Sequence, residues 1–213
     1  PSRGVVGVPT VFSEAKKAGF STAMFVGKEK FRHLLLTNSV DEFTYGRSDA
    51  IQVVKSDGDG AEAKREGTVL ADRVARQAAT YIVEHKPNLC FIHFADPDSA
   101  GHRSGWGSPQ QLEAFAKSDA ALDVVLKAIS QAGIADESVV IVSADHGGHG
   151  KGHGTKNPED MEIPWVAWGK GVKRGFTITA PVSTCDTAAT ALWLLNVSCT
   201  AKLDGTPVTS AFQ

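Results

Sequence analysis

Cysteine is scarce in this sequence, and its arrangement argues against two classes of protein. The three cysteines, Cys90, Cys185 and Cys199, are an odd number and include no C-x-x-C pair. Thiolate zinc sites and disulfide-rich small folds both need closely spaced cysteines. We therefore expect neither, and the cysteines leave the redox compartment open.

Charge of one sign and long apolar runs are also lacking. The 22 basic and 24 acidic residues give a formal net charge of −2, without a basic stripe or an acidic tail. This balance argues against nucleic-acid polymers and membrane surfaces as partners. The longest apolar run, near residues 188–195, is far shorter than the about 18 residues that cross a bilayer. We expect no membrane span.

The start of the chain lacks the usual signals. Residues 1–4 contain neither an initiator methionine nor the basic and apolar regions of a signal peptide, so we expect a cut end. The 213 residues, 42% of them apolar, suffice for one sizeable core. We expect a single domain over residues 1–213, of unspecified oligomeric state.

Helical and strand-like segments alternate along the chain. Helices are predicted at residues 11–18, 69–83 and 184–195, and another is predicted to begin after Ser108, which has the N-cap pattern Ser-Pro-Gln-Gln. Apolar runs of strand length occupy residues 21–26, 50–54, 89–95, 139–143 and 163–168. Fully apolar strands between helices are typical of a parallel sheet covered on both faces. We expect an α/β fold with a mostly parallel sheet.

Two polar segments follow predicted strands, where the functional groups of open α/β sheets gather. The first contains Asp98 and His102, four residues apart, with Gly101 between them. If Gly101 bends the backbone, the carboxylate and the imidazole can converge on one cation.

The second segment, residues 145–155, reads Asp-His-Gly-Gly-His-Gly-Lys-Gly-His-Gly-Thr. It could be a flexible loop with incidental histidines, since glycine is common in loops. An Asp-His pair at a strand end, matched by a second Asp/His pair, instead favours a metal site. Three carboxylate or imidazole ligands per ion are typical of a catalytic zinc site. Two such ions can hold the attacking and the leaving oxygen of a phosphoryl transfer. For His33, His85 and His93 we expect surface or structural roles.

The ordered motifs resemble the alkaline phosphatase superfamily, and most closely its type I phosphodiesterase/nucleotide pyrophosphatase branch. The resemblance rests on Asp98-x-x-x-His102, on Ser143-Ala144-Asp145-His146-Gly147 and on a later histidine before Ile163-Pro164. It continues at residues 9–12 and 18–20, and at Asp186 with Leu203-Asp204-Gly205-Thr206-Pro207. It thus covers nearly the whole chain.

The resemblance implies two zinc ions in the parent enzyme, with manganese as an alternative. Asp98, His102 and a third histidine would bind one ion, and Asp145 and His146 the other. We take His153 as the third ligand because related enzymes place it in a His-Gly or His-Thr pair shortly before the Ile-Pro strand. His149 is the competing choice.

The chain departs from the family pattern at its beginning. The family has an aspartate ligand and a threonine or serine nucleophile well upstream of the helix at residues 11–18. Thr10 and Ser13 do not match that motif, and no aspartate precedes Asp41. We therefore expect no catalytic nucleophile in this chain, one nearly complete metal site and half of another. Either the chain is a fragment of a longer enzyme or another chain supplies the first part of the domain.

For the parent enzyme the resemblance implies hydrolysis of a small phosphate mono- or diester, while this chain alone would be inactive. A metal-dependent phosphomutase and a non-catalytic metal-binding fragment remain alternatives. A sulfatase is disfavoured, because sulfatases lack the Asp-x-x-x-His pair. Many members of the branch are exported, which favours a periplasmic or secreted location.

Overall fold

The computed structural model describes residues 4–45, 70–199 and 202–213. Its helices are α1 Val11–Lys17, α2 Ala71–His85, α3 Asp96–Ser104, α4 Pro109–Gln131, α5 Pro158–Met161 and α6 Asp186–Leu194. Its strands are β1 Thr22–Val26, β2 Glu42–Thr44, β3 Leu89–His93, β4 Val139–Ser143 and β5 Trp165–Gly169. The predicted segments agree with these bounds to within about two residues, except for the strand at residues 50–54, which lies outside the described residues.

The strands form two groups. Parallel strands β2, β1 and β3 form one sheet in that order, with Ala23 of β1 beside Glu42 of β2 and Cys90 of β3. Strands β4 and β5 form an antiparallel pair in which Ile141 lies opposite Ala167. The three-stranded sheet is therefore parallel, as expected, whereas β4 and β5 run antiparallel to each other.

Strand β1 is buried along its whole length because helices cover both of its faces. Ala23 and Phe25 pack against Val74 and Ala78 of α2. On the opposite face, Met24 and Val26 pack with Phe12 of α1. Alternate side chains of a strand point to opposite faces, so the alternation of these contacts confirms a sheet with helices on both sides.

Helix α4 links the two strand groups. Its buried residues, which include Val125 and Ile129, form one core cluster with α2, and Ile92 of β3 and Val140 of β4 both pack against this cluster. Within the described ranges, however, no ladder joins β3 to β4. The two strands thus share this core cluster, and each has an edge without a ladder partner among the residues that the structure describes.

The C-terminal residues close the far side of the β4–β5 pair. Val208, Ala211 and Phe212 pack against Val139 and Trp165 among others. The Asp186 carboxylate accepts hydrogen bonds from the backbone N–H groups of Ser183 and Thr206, both at 2.7 Å. In the parts of the chain that the structure describes, no helix combines the length and apolar character needed to cross a bilayer.

Candidate metal centre

Helix α3 positions the first pair of predicted ligands. Asp98 and His102 lie four residues apart in this helix, so their side chains share one face. The predicted backbone bend at Gly101 is wrong, because Gly101 is helical. A Cβ at this position would lie 2.8 Å from the Trp106 ring and 2.9 Å from the Gln111 amide. Glycine is needed there for close packing and not for a bend.

His153 completes a cluster with this pair. One ligand atom from each of Asp98, His102 and His153 lies within 4.8 Å of the others. The Nε2 atoms of His102 and His153 are 3.3 Å and 3.6 Å from Asp98 Oδ1 and 3.1 Å from each other. Asp98 Oδ1 is buried and has no hydrogen-bond partner among the described residues. Buried carboxylate oxygens normally have a polar or charged partner. A cation bound between the three groups would be such a partner.

Hydrogen bonding and burial keep the two imidazoles suited to a metal. His102 Nδ1 lies 3.0 Å from the Lys151 carbonyl oxygen, so the proton belongs on Nδ1 and the Nε2 lone pair faces the cluster. Burial lowers the pKa of His153, and the neighbouring His146 lowers it further. Both effects favour the neutral imidazole that a metal requires.

Lys28 holds the carboxylate of Asp98 in place. Its ammonium group donates a hydrogen bond to Asp98 Oδ2, which leaves Oδ1 directed at the histidines. Burial by itself raises the pKa of Asp98, but the hydrogen bond and charge of Lys28, together with the charges of His102 and His146, lower the pKa below its ordinary value. Asp98 is therefore ionised. Sequence reasoning missed Lys28, although its place directly after β1 puts it at the same sheet edge as β3.

The second predicted pair lies next to this cluster. His146 Nε2 is 3.7 Å from Asp98 Oδ1 and 3.6 Å from Asp145 Oδ2. The rings of His146 and His153 stack, with centroids 3.6 Å apart and an interplanar angle of 14°. Asp145 is more open, with 55% of its side chain exposed and Lys30 Nζ 3.9 Å away. The structure thus brings all five predicted ligands together, with Asp145 at the open side.

His149, the competing third ligand, points elsewhere. Its Nδ1 lies 2.7 Å from Asp160 Oδ1, and the hydrogen bond and charge of Asp160 raise the pKa of His149. In return, His149 and Thr155 hold the pKa of Asp160 at about 2, against the opposing effect of burial. Asp160 carries no motif that would have identified it from the sequence.

Three aromatic ring contacts lie beside the site. The Trp106 ring packs edge-on against His102 and His153, with centroids 5.1 Å and 5.7 Å away. His93, at the end of β3, packs against Phe31 at 4.5 Å, and burial lowers the pKa of His93 to about 4. Trp106 was not predicted, since nothing in its sequence context marks it as part of a site.

Comparison with known families identifies the chain. Residues 2–155 match the family model described as type I phosphodiesterase / nucleotide pyrophosphatase. The chain belongs to this family. The resemblance found in its motifs is confirmed, and with it membership of the alkaline phosphatase superfamily, whose members are typically metal-dependent and hydrolyse phosphoesters.

Two curated proteins show the range of relatives. A 2,3-bisphosphoglycerate-independent phosphoglycerate mutase of Haloquadratum walsbyi is 28% identical over 194 residues, which are 88% of this chain and 37% of the mutase. GPI ethanolamine phosphate transferase 1 of Saccharomyces cerevisiae is 28% identical over 104 residues, 48% of this chain and 11% of the transferase. The chain thus spans only a minor part of these relatives.

Solved structures show the fold. "Ps i-CgsB" superposes with a TM-score of 0.67 at 19% identity, over 100% of this chain and 60% of that one. An alkaline phosphatase superfamily protein of Vibrio parahaemolyticus superposes with a TM-score of 0.65 at 19% identity, over 98% of this chain and 54% of that protein. The phosphonate monoester hydrolase SpPMH of Silicibacter pomeroyi superposes with a TM-score of 0.62 at 15% identity, over 95% of this chain and 60% of the hydrolase. The alkaline-phosphatase-like α/β fold is therefore confirmed.

Proposed function

We propose that this chain forms the metal-binding part of an enzyme that hydrolyses small phosphate mono- or diesters. The observation that carries the proposal is the convergence of His102 and His153 on the buried Oδ1 of Asp98, which has no hydrogen-bond partner in the described part of the chain. Membership of a family of phosphoester hydrolases supports the reaction class.

The donor set suits zinc. One carboxylate and two imidazoles with their Nε2 atoms directed inward are the ligands of an open catalytic zinc site. Asp98, His102 and His153 would hold one ion, and Asp145 and His146 would contribute to a second. When bound, such ions polarise the phosphoryl oxygens and stabilise the leaving oxygen.

The protein's own charges favour an anionic substrate. Lys28 pairs with Asp98, and Lys30 lies near Asp145. The two carboxylates are therefore largely compensated before any cation binds, and the charge of the cations would add to a near-neutral site. A net positive site attracts a phosphate group and raises its local concentration.

We propose that the attacking hydroxyl comes from a segment outside these 213 residues. Within the chain, Thr10 and Ser13 use their hydroxyls in a reciprocal capping box at the start of α1, with N–H to Oγ distances of 2.8 Å and 3.2 Å. Among the described residues, β3 and β4 each have one edge without a ladder partner, and we propose that a further parallel strand pairs there. Such a strand would end beside the ligands, where functional groups of α/β sheets gather.

The test is to load the purified chain with zinc, remove the excess, and measure both metal content and hydrolysis of p-nitrophenyl phosphate and bis(p-nitrophenyl) phosphate. A variant with Asp98→Ala and His102→Ala is the control. We expect about one tightly bound zinc per chain, lost in the variant, as for a three-ligand site, and no hydrolysis by either protein. No bound zinc would overturn the metal proposal. Hydrolysis that the variant lacks would place the nucleophile within the chain and exclude a non-catalytic role.

A metal-dependent phosphomutase is the second candidate. It is favoured by the similarity to the Haloquadratum walsbyi phosphoglycerate mutase, which extends over 88% of this chain. Manganese would suit such an enzyme, since carboxylate and imidazole ligands accept it. Interconversion of phosphoglycerate isomers by the manganese-loaded protein, followed by phosphorus NMR, would support the mutase over the hydrolase.

A further inference from the structure

The segment of residues 145–155, here called the histidine loop, carries three of the five candidate ligands outside any helix. Asp145 and His146 lie at its start and His153 near its end. Of the ten residues from His146 to Thr155, five are glycines, which favour many backbone conformations over one. Something beyond local preference must therefore fix the distance between its ends.

Asp160 of α5 makes the contacts that could do this. Its carboxylate is 1% exposed and accepts three hydrogen bonds, all from the histidine loop. His149 Nδ1 lies 2.7 Å from Oδ1, while the backbone N–H and the hydroxyl of Thr155 lie 2.8 Å and 2.7 Å from Oδ2. His153 thus stands between two residues that the same buried carboxylate holds.

Backbone bonds extend this attachment to the start of the loop. The N–H groups of Gly147 and Gly148 donate to the carbonyl oxygens of Asp160 and Glu159, at 2.8 Å and 2.7 Å. His149 and Gly152 exchange two further backbone hydrogen bonds of 3.0 Å. A Cβ at Gly147 would lie 2.0 Å from the Glu159 carbonyl oxygen, so the loop lies directly against α5.

We propose that Asp160 is a positioning residue for the metal centre: through His149 and Thr155 it holds the histidine loop so that His153 reaches Asp98 and His102. This inference rests on the proposed metal-binding function. Asp160 is in neither the three-ligand cluster nor the predicted ligand set. Outer contacts of this kind orient metal ligands, and their loss typically weakens metal binding about 10- to 100-fold.

Asparagine is the informative replacement because it keeps the shape of Asp160. Its amide offers one acceptor oxygen and one NH₂ donor in place of two acceptor oxygens. With the NH₂ group towards Thr155, the backbone N–H of Thr155 loses its acceptor. With the NH₂ group towards His149, only a neutral imidazole can accept the hydrogen bond, so the charge-assisted bond between His149 and Asp160 is lost. Either orientation weakens the attachment that holds His153 near Asp98.

The experiment compares Asp160→Asn with the neighbouring Glu159→Gln, which keeps the backbone carbonyl that binds Gly148 and changes only an exposed side chain bonded to Asn157. Zinc affinity is measured by competition with a chelator, at a temperature where circular dichroism shows both variants folded. In the metal-free proteins, isotope-labelled NMR measures the cross-relaxation between the stacked rings of His146 and His153.

We expect Asp160→Asn to weaken zinc binding about 10- to 100-fold and to lose the ring-to-ring signal, while Glu159→Gln keeps both. Unchanged affinity and an unchanged ring signal in folded Asp160→Asn would overturn the inference. If Asp160→Asn does not fold, Thr155→Val decides. It keeps the backbone N–H bond to Asp160 and removes the hydroxyl, which donates to Asp160 and accepts from the Asn157 N–H. We then expect a few-fold weaker affinity, and no change counts against the inference. If the unmodified chain binds no zinc, the metal proposal fails, and the ring signal alone decides on the positioning of His153.

Discussion

The two halves of the candidate metal centre are held in different ways. Asp98 and His102 belong to a helix, where their four-residue spacing places them on one face whatever surrounds them. His146 and His153 belong to the histidine loop, whose path follows contacts with α5 and Trp106. The helical half is thus encoded locally, whereas the loop half depends on residues distant in the sequence.

This difference teaches where the site is vulnerable. A change in α3 that keeps the helix removes a ligand and leaves the rest of the cluster in place. A change in the loop, even at a glycine that contacts no metal, can displace several ligands at once. The following predictions compare the two halves, beginning with the largest expected effect.

Replacing Asp98 should have the largest effect on metal binding. Asp98 is the carboxylate that all three inward-facing histidine atoms approach, so we expect Asp98→Ala to weaken zinc affinity more than about 100-fold, beyond the loss typical of outer contacts. The matched control is Asp145→Ala in the loop half, where 55% of the side chain is exposed and the loss should stay below about tenfold. Chelator competition measures both, and equal losses would contradict the ranking.

His153 and His149 offer a comparison within the loop. His153 faces Asp98 and His102, whereas His149 faces Asp160. We expect His153→Gln to weaken zinc binding by about two orders of magnitude and His149→Gln by less than about tenfold, because only the first removes a ligand. Titration with a zinc-sensitive dye checks this. A larger loss in His149→Gln would reverse the assignment of the third ligand.

Gly148 tests whether the loop must lie against its neighbours. A Cβ at this position would lie 2.1 Å from the Trp106 ring, so Gly148→Ala should lower the free energy of unfolding by about 1–3 kcal/mol, as for overpacking. Gly152→Ala in the same loop is the control, because nothing lies within 4 Å of its added Cβ; it should change stability by less than about 0.5 kcal/mol. Denaturant titration distinguishes the two, and similar values would mean that the loop adapts freely.

The smallest effect concerns pH. Asp160 raises the pKa of His149 above the ordinary 6.5, so the pair contributes stability that is complete below that value and is lost as pH rises through the raised pKa. Asp160, with a pKa of about 2, stays ionised throughout this range. The melting temperature of the unmodified protein should exceed that of His149→Gln most at low pH, and this difference should shrink as pH rises above 6.5 and through the raised pKa. A difference that grows with pH would show that His149 is not charged in the folded protein.

Much of the fold could be read from the amino-acid sequence because its signals are local. Apolar runs of strand length, helical periodicity and the Ser108 cap predicted elements that the structure contains. The same local order placed Asp98 and Asp145 after two strands, where ligands of an α/β sheet are expected. The antiparallel pairing of β5 with β4 was not predicted, since strand direction depends on pairing and not on composition.

By itself, the sequence determined the α/β architecture, the family and the residue types available to a metal, because periodicity and motif spacing act over a few residues. Only the tertiary structure decided that His153 faces Asp98 while His149 faces Asp160, that Lys28 holds one carboxylate oxygen, and that Gly101 packs under Trp106. The physical reason is that a glycine-rich loop has no strong conformational preference of its own. Its path is set by the buried donors and acceptors that it must satisfy against other parts of the chain.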